Sequence, residues 1–268
     1  MDIQIKKAIK AGNSSAVILP KSWLNRDVRI ELIKKTPEMI LYDVLTLANK
    51  YLNLGDIIGI YLTGSYARGE EDKDSDIDIL IITKNIDLEL ISEGIYNLLI
   101  VSSELLKQKL KEDFFPLGQM IKEAKPLLNS DYLDSLNIRV TEKNIKWYLD
   151  TTEDKIKLIR EIIEKEKSKN KNHVHDRIAY TLILRIRTLY IIRKLILNQN
   201  YSKKEFIELM KNISKGTNAY KGYLIIKNIL KEENRVSIEE TERLYEYLIG
   251  LLAEVKSMFL KENIRKRV

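Results

Sequence analysis

The chain of 268 residues contains no cysteine. Disulfides and thiolate metal sites are therefore excluded. Histidine is almost as scarce, with two in the whole chain. These are His173 and His175, two residues apart at the head of a helical stretch, where they face different ways. A surface helix start suits them better than a metal or catalytic pair. Long hydrophobic runs are missing too, and no apolar stretch approaches the length that spans a bilayer. The opening Met1-Asp2-Ile3-Gln4-Ile5 has no signal-peptide layout. The expectation is a cytoplasmic protein with no membrane partner. Apolar content of 44% with 32% charged residues fits a globular chain of one to three domains with a sizeable core. No internal repeat is visible.

What is present is charge, unevenly placed. The formal net charge is +7. Residues 1–36 carry net +5, residues 37–140 net −8, and residues 141–268 net +10. Basic flanks around an acidic middle could face nucleic acid or nucleotide, or could be solvated helix surface.

The acidic middle holds the most informative segment. Two short runs rich in β-branched residues, 56–62 and 77–82, read as strands. Gly64-Ser65 sits just past the first. Asp76 and Asp78 sit at i and i+2 on the second, so both carboxylates point to one face. Paired carboxylates make an oxygen-only site that suits magnesium, which takes a few carboxylates plus substrate phosphates and water. A Gly-Ser turn lets backbone N–H groups and a hydroxyl approach a phosphate closely. Metal on one side and a phosphate cradle on the other describe a phosphoryl- or nucleotidyl-transfer site.

Gly64-Ser65-Tyr66-Ala67-Arg68-Gly69, followed by Asp76-Ile77-Asp78, resembles the DNA polymerase β-like nucleotidyltransferase superfamily, in particular its minimal members. The resemblance implies that Gly64 and Ser65 contact the triphosphate. It also implies that Asp76 and Asp78 hold magnesium, two ions expected and one possible. Arg68, one helical turn on, is a further phosphate contact. Most active members carry a third acid on the strand after the D-x-D strand. Aligning 96–101 with that strand puts Asn97 there, an acceptor with no charge and no use as a base. Glu93, Glu104, Glu123 and Glu142 are the alternative acids.

The first 36 residues read differently. Residues 3–9, 16–19 and 28–33 look like strands, broken by Gly12-Asn13-Ser14-Ser15 and Pro20. So small a piece cannot bury a core alone. The run Gly12 to Lys21 resembles the swapped-hairpin domain of the AbrB and MazE type. That resemblance implies a homodimer through exchanged hairpins. It makes Lys6, Lys7, Lys10, Lys21, Arg26 and Arg29 candidates for a DNA-binding surface.

Thr36-Pro37-Glu38 opens a helix. Further helices are expected over 87–93 and 117–124. From Thr141 the pattern is helical, over 142–167, 173–198, 202–212, 217–231 and 237–262. The second of these is apolar nearly all round and reads as the centre of a bundle. Arg185 lies on its apolar face and calls for an anion, either a carboxylate or the nucleotide phosphate. Trp147, Tyr180 and Tyr190 read as core.

The expected class is α+β. A small β swapped-hairpin domain (1–36) precedes a nucleotidyltransferase domain with a mixed sheet (37–140) and a helical bundle (141–268). The expected function is magnesium-dependent transfer of a nucleoside monophosphate, AMP from ATP or another NTP, to a hydroxyl on a protein or small molecule. The alternative is a weak or inactive nucleotide-sensing, DNA-binding dimer.

Overall fold

The computed structural model describes residues 4–6, 8–31, 34–72, 75–227 and 234–265, with side chains as far as Phe259. The chain divides into two compact units, Met1–Thr36 and Pro37–Val268.

In the first unit, β1 (Ile9–Ala11) and β2 (Ser14–Ala16) form an antiparallel hairpin with Ile9 opposite Ala16. Gly12 takes φ +61°, the left-handed conformation such a turn needs. A single 3-10 turn, Lys21–Trp23, follows Pro20. The ladder is shorter than the alternation suggests. Of the strand expected over 3–9, the described residues 4–6 and 8 lie outside the ladder, which includes Ile9, and the strand expected over 16–19 ends at Ala16. Residues 28–31 join no sheet. A strand needs a partner ladder, and the described residues of this piece supply one hairpin. Ile3, Lys7, Leu32 and Ile33 lie outside the described residues.

The second unit opens with α1 (Pro37–Ala48), then β3 (Ile57–Thr63), the short helix α2 (Gly64–Arg68) and β4 (Ile77–Thr83). Next come β5 (Leu88–Glu93), β6 (Tyr96–Ser102), α3 (Ser103–Glu112), α4 (Leu117–Glu123), β7 (Lys125–Leu128) and α5 (Ser130–Ser135). The sheet order is β5-β6-β4-β3-β7, with β4 and β6 parallel and the other neighbours antiparallel. This is the mixed α+β architecture the sequence implies.

One expectation is corrected here. Residues 87–93 are not a helix: Leu88–Glu93 is an edge strand. Gly94, at φ +63°, turns the chain straight back into β6. The open edge of β6 offers this segment a ready ladder for its backbone groups.

The sheet buries both faces. Ile77, Ile79 and Ile81 of β4 pack with Ile60, Leu62, Leu98 and Ile100 against Ile40, Val44 and Ala48 of α1. On the other face, Tyr61, Leu80, Ile82 and Val101 pack with Leu106, Phe114, Leu117 and Ile121 into the core shared with the C-terminal helices. Full burial of each such side chain is worth ~1.5–3 kcal/mol. By the two-residue period of a strand, Asp78 is in phase with Leu80 and Ile82, on the face toward those helices.

The helical part comprises α6 (Glu142–Ser168), β8 (His173–Val174), α7 (Asp176–Ile196), α8 (Lys203–Ser214), α9 (Asn218–Ile226), β9 (Val236–Ser237) and α10 (Ile238–Arg265). Thr141 and Asn144 form a capping box that starts α6. The central helix α7 buries Ala179, Leu182, Ile183, Ile186, Leu189, Tyr190, Ile191 and Ile192. His175 caps α7, its Nδ1 accepting the Arg177 N–H at 3.2 Å, and His173 pairs with Ser237. Of the two, His175 serves the helix start, while His173 lies in β8, outside the helix expected from residue 173. Residues 228–231 of the expected helix 217–231 lie outside the described residues. Tyr190 is buried and Tyr180 stacks on Tyr223. Trp147 departs from expectation: it is 62% exposed, with one face against Arg185. Among the described residues, no helix is long and apolar enough to cross a membrane.

Candidate active site

Strand direction brings the candidate residues together. Because β3 and β4 are antiparallel, the end of β3 and the start of β4 lie at the same end of the sheet. Thr63 stands opposite Asp78. Because β6 runs parallel to β4, its start lies there too, and Asn97 stands beside Asp78. Gly64, Ser65, Asp76, Asp78 and Asn97 therefore gather within one sheet end.

The glycine of the turn is required by space as well as by backbone. Gly64 has φ +65°, and a Cβ there would collide with Asp78 Oδ2. The carboxylate and the turn thus touch, with no room for a side chain between them. Gly69 closes α2 in the left-handed conformation, its N–H donating to Tyr66 O and the next N–H, of Glu70, to Ser65 O. Among the described residues, the Ser65 hydroxyl makes no hydrogen bond.

Burial pushes the Asp78 carboxyl above its ordinary range. The hydrogen bond from Asn97 opposes this, and the neighbouring charge of Asp76 adds to it. Asn97 Nδ2 donates to Asp78 Oδ1 at 3.3 Å, while Asn97 Oδ1 accepts from the Ser92 hydroxyl at 2.7 Å. Asp76 is exposed. Among the described residues no three acidic or histidine side chains cluster as a metal cage. Two carboxylates with open positions fit magnesium all the same, since that ion keeps waters and takes substrate phosphates. Asp76 and Asp78 are the residues that would hold it.

Arg68 is held between two acids. Its Nε donates to Glu70 Oε2 at 2.9 Å and its Nη1 to Glu123 Oε2 at 2.6 Å. Glu123 also accepts the Gly64 N–H on Oε1 at 3.0 Å. Burial pushes Glu123 up, against the pull of Arg68 and the Gly64 N–H. Glu70 differs. Burial would raise it, but the Ser202 hydroxyl, the Lys203 and Lys204 N–H groups and Arg68 hold it down to about 2. Glu70 thereby clamps the start of α8 to the turn after α2. The Tyr201 ring lies under two guanidinium groups, Arg68 at 5.3 Å and Arg187 at 5.5 Å. Beside these residues opens a cavity of about 560 Å³ between α2, α4, α7 and the segment leading into α8, with Lys122, Lys125 and Lys194 in its walls.

The alternative acids separate cleanly. Glu123 reaches the turn. Glu93 bonds Lys50 and Tyr51 at the edge strand, while Glu104 and Glu142 sit in the first turns of α3 and α6. Arg185 is not brought to the turn by any contact among the described residues. It donates to Thr151 Oγ1 at 2.9 Å and lies over Trp147, so among the described residues no carboxylate is its partner. Arg187, two residues on, is the α7 arginine whose charge acts on Glu123. Lys6, Lys10, Lys21, Arg26 and Arg29 are exposed in the first unit.

Glu70, Arg187, Tyr201 and Ser202 escaped the sequence reading. Ser202 and Glu70 are 132 positions apart, and no local pattern joins such a pair. The one available signal was Glu70 itself, an acid directly after the glycine that ends α2.

Residues 46–193 match the sequence model of the nucleotidyltransferase domain family. Among solved structures, a nucleotidyltransferase-like protein from Exiguobacterium sibiricum is similar at 16% identity. That alignment covers 85% of this chain and 80% of that one, with a TM-score of 0.39. A spectinomycin adenyltransferase from Enterococcus faecialis, solved with ATP and spectinomycin, is similar at 14% identity. It covers 79% of this chain and 99% of that one, with a TM-score of 0.41. A search of curated proteins gave no significant match.

Proposed function

Since the chain belongs to the nucleotidyltransferase domain family, we propose that it transfers a nucleoside monophosphate, AMP from ATP, to an acceptor hydroxyl and releases pyrophosphate. The observation that carries this reading is the contact of Asp78 with the Gly64-Ser65 turn, which leaves no gap between carboxylate and phosphate cradle. The Gly64 N–H, the Ser65 hydroxyl and Arg68 bind and orient the β- and γ-phosphates. Asp76 and Asp78 would hold magnesium, which when bound would neutralise phosphate charge as a Lewis acid. The acceptor oxygen bonds to the α-phosphorus, the bond to pyrophosphate breaks, and the acceptor proton leaves to a base. Asn97 cannot be that base.

Asn97 favours a second reading, in which the domain binds nucleotide without transfer and the N-terminal unit binds DNA as a dimer. No described residue of that unit is buried, and Ile5, Ile18, Leu24 and Ile30 are exposed, as suits a piece completed by a second copy. Incubation with α-labelled ATP, magnesium and a panel of hydroxyl acceptors separates the readings. Label transfer that Asp76→Asn and Asp78→Asn abolish supports the enzyme. Magnesium-dependent ATP binding without transfer, coupled to DNA binding, supports the sensor. ATP affinity equal in wild type and both variants removes the site assignment.

A further inference from the structure

We propose that Glu123 is a built-in occupant of the phosphate subsite, docked on the Gly64 N–H and the Arg68 guanidinium, and that a nucleoside triphosphate must displace it to bind. This rests on the reading of the site given above and adds to it a regulation of that site.

The argument is one of matching partners. Glu123 ends α4 and reaches the turn with both oxygens, Oε1 to Gly64 N at 3.0 Å and Oε2 to Arg68 Nη1 at 2.6 Å. A backbone N–H beside a guanidinium is what a phosphate oxygen pair seeks, and a carboxylate meets the same demand. The two anions therefore compete for the same donors. The contact is enclosed, with 12% of the Glu123 side chain and 14% of the Arg68 side chain exposed.

The two acids on Arg68 are not equivalent. Glu70 has further donors in the Ser202 hydroxyl at 2.6 Å and the Lys203 N–H at 2.9 Å. It stays in place whatever happens at the turn, and it keeps Arg68 extended. Among the described residues, Glu123 hydrogen-bonds only to the two donors that a phosphate would take, so it is the exchangeable partner. The adjoining cavity, with Lys125 and Lys194 in its walls, gives a released carboxylate both room and cations. Burial weakens its hold further by favouring the neutral acid.

Occupancy by Glu123 lowers apparent nucleotide affinity in proportion to the fraction of molecules left open. If about ten molecules in eleven are closed, removing the occupant tightens binding about tenfold. The test is calorimetric titration of the full-length protein with magnesium-ATP, and separately with inorganic pyrophosphate. It compares wild type, Glu123→Gln and Glu123→Asp. Gln keeps the length and loses the charge. Asp keeps the charge and falls short of the Gly64 N–H. Both variants should bind about tenfold tighter than wild type. Tightening in Gln with none in Asp would reduce the effect to one lost charge and overturn displacement. So would affinities equal to or weaker than wild type in both. Should Gln lose its cooperative melt, Asp alone decides. If wild type binds and Asp binds no tighter, this inference fails and the function stands. If none of the three binds either ligand, both fail together.

Discussion

At the scale of single residues, two half-buried carboxylates are shifted in opposite directions. Asp78 is pushed up by burial and by Asp76, so its ionisation works against the fold. Its contribution is lost as pH rises through that raised value. Asp78→Asn should therefore raise the melting temperature slightly at pH 7 in metal-free buffer, while ending magnesium-dependent ATP binding. A lower melting temperature would count against this assignment of its environment. Glu70 is held down to about 2, against 4.5 for a free glutamate. Its stabilisation is complete above pH 4.5 and disappears as pH falls toward 2. Glu70→Gln should cost ~1–3 kcal/mol at pH 7 and almost nothing near pH 2, which urea melts at the two pH values would show. Asn97→Asp removes the donor to Asp78 and adds a third charge. It should lower stability without metal, tighten magnesium binding and speed transfer, all measurable in one magnesium titration with labelled ATP. These residues also mark what the sequence discloses. Gly64, Ser65, Arg68, Asp76 and Asp78 sit within one local pattern. The donors that fix Glu70 come from far along the chain and depend on how α8 docks, which no spacing encodes.

At the scale of elements, the strong signals were periodic ones. The three strands β3, β4 and β6 and the helices α6, α7, α8 and α10 follow from apolar spacing, caps and β-branched runs. Short edge pieces were harder. Leu88–Glu93 has the composition of a helix end, and the neighbouring open strand decides its form. Lys125–Leu128 contains Pro126, which reads as a breaker and is tolerated only because the strand is an edge. The helix α4 is the element that matters most to the site, because Glu123 ends it. Its packing hangs on Gly118, where a Cβ would strike the ring of the fully buried Phe114. Gly118→Ala should destabilise the fold by ~1–3 kcal/mol through overpacking, seen as a lower urea midpoint. Its shift of α4 should also loosen the Glu123 contact. An unchanged midpoint would mean that Phe114 has room to turn aside.

At the scale of the whole molecule, the boundary at Thr36 and Pro37 sets what can be separated. The second unit contains the sheet, both buried cores and every residue of the candidate site. The described residues of the first form one short hairpin, and none of them is buried. A piece of that size without a core gains its stability from association, and so depends on protein concentration. The full-length protein should therefore sediment as a dimer at micromolar concentration. Deleting residues 1–36 should leave a folded monomer whose affinity for magnesium-ATP is unchanged, because the deletion ends before Pro37 and every residue of the candidate site lies in the second unit. Sedimentation with calorimetry on both proteins decides it. A monomeric full-length chain would remove the dimer from the account, and a truncated chain that binds nucleotide more weakly would tie the N-terminal unit to the site.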